Sequence, residues 1–201
     1  MTFSDTALDA EQPRVAAERA TLRDILRSAT VGDHARLDHQ LAEIDLARCD
    51  DLARFLGIHF AARAGVERWL AANCPPGWEP PVQTPLIAED LAALGSRVED
   101  FPAQQFEPGH SADWMGPAYV IAGSHLGNRL LLAQAGAALP CSARGFLTGT
   151  AMQDYWRRLR TLLSEAPGPD GGADAVAGAR ATFTHFARCV AHFGRARLTA
   201  A

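Results

Sequence analysis

From about Asp113 to Ala138 the chain runs as one apolar helical stretch closed by Pro140, yet it carries Gly123 and Gly127 one helical turn apart. Each glycine inside a helix costs about 1 kcal/mol against alanine, so two on one face call for a compensating close approach. Either another helix packs against that face, or a flat ligand does. The stretch also contains Ser124, His125, Asn128, Arg129 and Gln134, which suits a helix buried in protein rather than one spanning a bilayer.

The rest of the chain reads with the same period. Leu22, Ile25, Leu26, Ala29, Leu37 and Leu41 mark an amphipathic helix that carries His34 in its second half. A helix from about Asp50 follows, through Leu52, Phe55, Leu56, His59, Phe60, Val66, Trp69 and Leu70, and Cys74-Pro75-Pro76-Gly77 ends it. A shorter helix is expected over 87–98, a loop over 100–111, a helix over 149–165, and a last one over 173–195 after the Pro167 to Gly172 cluster. No segment alternates with period two, so the expected class is all-α, an irregular helical bundle. No repeat or internal linker divides the 201 residues, which implies one domain over residues 15–197 behind a flexible N-terminus of residues 1–14.

Charge and cysteine usage narrow the function classes. A net charge of −4 with dispersed arginines excludes broad nucleic-acid binding. Cys49, Cys74, Cys141 and Cys189 are widely spaced and form no CxxC unit, which fits reduced thiols in a cytoplasm. Acidic residues near the start (Asp5, Asp9, Glu11) and the lack of an apolar run argue against a secretory signal, and no membrane span is expected. There is no phosphate-binding glycine loop and no nucleophile elbow.

Two segments carry a resemblance. Leu26-Arg27-Ser28-Ala29-Thr30-Val31-Gly32-Asp33-His34 resembles the proximal helix of the haem oxygenases, and Gly116 to Leu131 resembles their distal helix, especially in the bacterial branch encoded near phytochromes. Three further stretches are similar to family helices in the right order: 55–70, 84–95 and 146–163. The resemblance implies a haem oxygenase-like fold with haem b, both cofactor and substrate, between the two helices. It implies an enzyme that opens haem to biliverdin with release of CO and ferrous iron. Electrons would come from an external ferredoxin or flavoprotein reductase, and a bacterial phytochrome is a candidate acceptor of the biliverdin.

Residue roles follow from the same resemblance. His34 would ligate iron through a neutral imidazole nitrogen, with its other nitrogen fixed by an acceptor; Asp38 is either that acceptor or part of a solvated face. Gly123 and Gly127 would form the distal wall, with Ser124 holding a water there. Arg27 and Arg157 would meet the propionates, guanidinium matching carboxylate in a two-point contact, with Arg158 as the neighbour able to replace Arg157. Tyr119 would line the pocket. Asn128 stands where the family carries glycine, close to the expected haem face, where its amide would clash with or bond to what lies there. His125 is expected to point away along the helix rather than ligate. His185 and His192 share a face without a third ligand, and His39, His59 and His110 read as structural or exposed. Two other readings remain open from sequence: a non-catalytic haem-binding or gas-sensing module, motivated by Asn128 and His125, and a helical scaffold that binds no haem.

Overall fold

A computed structural model describes residues 20–135, 143–165 and 170–194. The flexible N-terminus expected over 1–14, Pro140, Cys141 and residues 167–169 of the Pro167 to Gly172 cluster lie outside the described residues. Seven α-helices and one 3-10 turn are present, with no strand among the described residues: α1 (Leu22–Leu41), α2 (Cys49–Asn73), α3 (Thr84–Ala93), the 3-10 turn Val98–Asp100, α4 (Met115–Ala135), α5 (Gly145–Thr148), α6 (Ala151–Leu163) and α7 (Ala173–Phe193). The all-α expectation holds. No helix among the described residues is long and apolar enough to cross a membrane.

Local chemistry sets the boundaries. Thr21 starts α1 with a capping box: its hydroxyl accepts from the Asp24 amide at 3.2 Å while the Asp24 carboxylate accepts from the Thr21 amide at 3.3 Å. The helix expected over 87–98 begins earlier, at Thr84, because Pro85 sits in its first turn, where a missing N–H costs nothing. It also ends earlier, and Gly95 follows with φ +74°. The short α5 has no counterpart in the sequence reading. It forms because the buried carboxylate of Asp90, on α3, accepts from the amides of Gly145 at 2.9 Å and Phe146 at 2.8 Å.

α7 is the central strut. α1, α2 and α4 all pack against it. Its contact with α4 is unusually close and depends on two glycines facing across the crossing. A Cβ on Gly116 would stand 2.0 Å from the Ala175 carbonyl oxygen, and one on Gly178 would stand 2.7 Å from Pro117 Cδ and 2.9 Å from the Asp113 oxygen. The segment after the 3-10 turn lies just as tightly along α2. Phe101 and Phe106 are buried there, the Gln104 amide donates to the Ala61 carbonyl, and Gly57 and Gly65 of α2 leave room for them. α1 reaches α7 through Arg180, whose guanidinium donates to the Ala29 carbonyl at 3.1 Å.

The core between α2, α5 and α7 contains His59, ringed by Phe55, Phe146 and Phe186 with centroids 4.4, 5.3 and 5.7 Å away. Burial and the neighbouring Arg63 cation hold its imidazole far below the usual value, at about 3. It is therefore neutral in the folded protein.

Two outcomes follow from this packing. Gly116→Ala should lower stability by about 1–3 kcal/mol, the usual cost of overpacking, because the Cβ meets backbone that cannot turn aside; thermal unfolding reads this directly. His59 takes up a proton near pH 6.5 when unfolded but resists it until about pH 3 when folded, so its contribution is full above 6.5 and is lost as pH falls through that window. Urea unfolding of His59→Leu should show a weaker loss of stability between pH 6.5 and 4 than the natural protein. An equal slope would contradict the neutral assignment.

Candidate functional site

α1 and α4 both pack on α7, and Thr30 of α1 interacts with Tyr119 of α4. The Thr30 hydroxyl donates to the Leu26 carbonyl at 2.7 Å. Burial pushes the Tyr119 hydroxyl above its ordinary value, so it stays protonated and able to donate. One turn on from Thr30 is His34, and one turn on from Tyr119 is Gly123.

His34 is 63% exposed, and its Nδ1 lies 2.8 Å from the Asp38 carboxylate. Its ring meets Phe183 of α7 edge-on at 5.9 Å. Nε2 has no protein partner among the described residues. A carboxylate on one imidazole nitrogen and a free lone pair on the other is the arrangement that fixes a histidine for metal ligation. Of the two sequence readings of Asp38, the structure favours the acceptor. No group of three or more histidine, cysteine or carboxylate side chains clusters as a metal site among the described residues, so an iron here would need its other ligands from a macrocycle.

The glycines of α4 divide into two kinds. In α2, α4 and α7, Gly57, Gly65, Gly116 and Gly178 each face a neighbour that a Cβ would strike. Gly123 and Gly127 do not. A Cβ on Gly123 would find only Trp156, at 4.0 Å, and one on Gly127 would find nothing within 4 Å. Protein packing therefore leaves their cost unexplained. Leu126 and Leu130 on the same side of α4, and Val31 one turn from Arg27 on α1, are large apolar side chains left half or more exposed, Leu130 at 59%. A bare backbone edged with leucine on α4, and a histidine with one free nitrogen on α1, together suit a flat apolar ligand that carries a metal.

The other expected residues fall into three groups. Arg27 is exposed on the His34 face, two turns before it, which at about 1.5 Å rise per residue places their α-carbons roughly 10 Å apart. Arg157 is exposed on α6 and paired with Asp154, while Arg158 lies over the Trp78 and Tyr155 rings at 5.9 and 5.8 Å. Of this pair, Arg157 is the cation free of aromatic contacts. Tyr119 packs against Trp156 at 5.8 Å.

Ser124 and Asn128 do not join the glycine face. The Ser124 hydroxyl donates to the Ile121 carbonyl at 2.8 Å and accepts from Arg63 at 2.5 Å, leaving one lone pair for another donor. Asn128 is buried and lines a cleft with Arg63, Gln83 and His125. At about 100° per residue, positions 127 and 128 leave the helix in different directions, so the Asn128 amide faces this cleft and not the side of Gly127. His125 points away from the glycines, as expected, with Nδ1 2.5 Å from the Ala122 carbonyl and its ring near Trp156. His185 is buried with Nε2 on the Ala62 carbonyl at 3.1 Å. Cys49, Cys74 and Cys189 are free thiols, and burial pushes those of Cys74 and Cys189 up to about 12 and about 11.

The residue missed from sequence is Arg63. Flanked by alanines in an apolar helix, it reads as a surface arginine, but it is 1% exposed and bonds the Ile121 carbonyl and Ser124. The only sequence signal was Glu67, one turn on.

Comparison with known proteins bears on the family and the fold. No protein-family model matches the chain. The structure resembles the NO- and CO-bound haem oxygenase of Neisseria meningitidis with a TM-score of 0.66, covering 89% of this chain and 95% of that one at 21% identity, which is a likeness of fold. The sequence is 33% identical over 150 residues to a haem oxygenase of Xanthomonas campestris pv. campestris (strain 8004), spanning 71% of this chain and 90% of that protein. An identity of this size over nearly the whole relative means that the chain belongs to the haem oxygenase family.

Proposed function

We propose that haem b lies between the His34 face of α1 and the Gly123–Gly127 face of α4, and that the chain, as one domain, cleaves it to biliverdin with release of CO and ferrous iron. The observation that carries the site is the pair of α4 glycines that no close protein contact explains. The residues present fit the group: an imidazole with a free Nε2, a helix edge without side chains, apolar flanks, and arginines at the rim. When bound, haem supplies the iron at which dioxygen is activated and is itself the substrate, with electrons delivered by an external donor, a ferredoxin or a flavoprotein reductase.

The chain's own task is geometric. Asp38 keeps the proton on Nδ1 and so aims the Nε2 lone pair of His34 at the iron. Gly123 and Gly127 would keep bulky side chains away from the bound group, leaving backbone and small side chains beside it. Tyr119 would close one end. Arg27 and Arg157 would hold the propionates, Arg157 by leaving or sharing Asp154. The remaining lone pair of Ser124 accepts from a water near the distal wall. Asn128 acts on this wall only through the position of α4. The setting is cytoplasmic, and the product is passed to an acceptor such as a bacterial phytochrome.

Two measurements test the site. His34→Ala should bind hemin more weakly and form no biliverdin with hemin, reductant, oxygen and catalase, while added imidazole restores part of the turnover; a variant with unchanged absorption and rate removes His34 from the role. Gly127→Leu should leave the melting temperature of the haem-free protein unchanged or higher, since nothing blocks the new side chain, and should weaken hemin binding at least about tenfold. Unchanged hemin affinity would place the ligand elsewhere.

A further inference from the structure

On the side of α4 away from Gly123 and Gly127, His125, Asn128, Arg129 and Leu132 face a cleft of about 250 Å³ that α5, the start of α6, Arg63 and Gln83 complete. Arg63 lies at its inner wall. Its Nη2 is engaged with Ile121 and Ser124, but Nε and Nη1 have no hydrogen-bond partner, and its guanidinium rests against the Phe146 ring at 5.1 Å. The nearest carboxylate does not supply the missing bonds. Glu67 Oε1 stands 3.8 Å from Nη1, and its oxygens are committed to the Gln83 amide at 2.9 Å and to the Thr84 amide and hydroxyl at 3.3 and 2.9 Å. A buried guanidinium with unmet donors is costly unless a partner arrives. The cleft supplies room for one, and its other polar lining consists of side chains that can donate: the Asn128 and Gln83 amides, the Thr148 and Thr150 hydroxyls, and Arg129 at the rim.

We propose that this cleft binds a small oxyanion, a carboxylate or inorganic phosphate, with Arg63 as the principal contact. The site is separate from the haem face and does not depend on haem being bound. Its occupant would tether α2 to α4 through the arginine that already holds Ser124.

The test uses the haem-free full chain, titrated separately with sodium acetate and sodium phosphate while NMR follows the Arg63 Nε–H and the Asn128 side-chain amide. A saturable shift at both groups is expected in at least one series, and the series that saturates at lower concentration identifies carboxylate or phosphate. Asn128→Leu, which fills the cleft while keeping Arg63, should retain helical circular dichroism and weaken the saturable response by about tenfold or more. Arg63→Met should abolish it; if that variant does not fold, Asn128→Leu decides. A linear drift shared with exposed arginines such as Arg27, or an Asn128→Leu response equal to that of the natural protein, overturns the proposal.

Discussion

Everything at the site depends on how closely α4 can lie against α7. The pair Gly116 and Gly178 removes the side chains that would hold these helices apart, and Pro117 and Ala175 take up the space. α1 then docks on the same strut through Arg180 and the His34–Phe183 contact. The two helices that carry the site are thus positioned by a third that contributes only Phe183 to it. Both helices are thus held by a rigid third helix rather than by loops.

That arrangement explains why α4 carries two sorts of glycine. Near its start a glycine is needed so that backbone can approach backbone, and the cost is recovered in packing. Further along, at Gly123 and Gly127, no protein group uses the space. A planar ligand resting on the bare helix, as proposed for haem, would recover the energetic deficit of those positions. On the back of the same helix the chemistry reverses, with Ser124, His125 and Asn128 turned toward a buried cation. One helix separates an apolar flat face from a polar cleft.

Much of this was legible in the sequence. Helical period and the order of five segments gave the class and the family, while the glycine pair and His34 with Asp38 one turn on marked the face proposed for the ligand. The boundaries that went astray did so for identifiable reasons: Pro85 belongs to a first helical turn, and α5 owes its existence to Asp90, more than fifty residues earlier. Long-range capping leaves no local pattern. Asn128 adjoins Gly127 in sequence yet faces the cleft on another side of α4, because consecutive helical residues diverge by about 100°. Arg63 was invisible for the opposite reason, since a lone arginine in an apolar helix has no periodic signal to show whether water or a buried carbonyl receives it.

The most direct test of the central claim is crystallographic: anomalous diffraction at the iron edge from crystals of the hemin complex. The account requires an iron peak within bonding distance of His34 Nε2, with the macrocycle lying against Gly123 and Gly127. An iron bound by His125 or His39, or a macrocycle that leaves the two glycines uncovered, would contradict it.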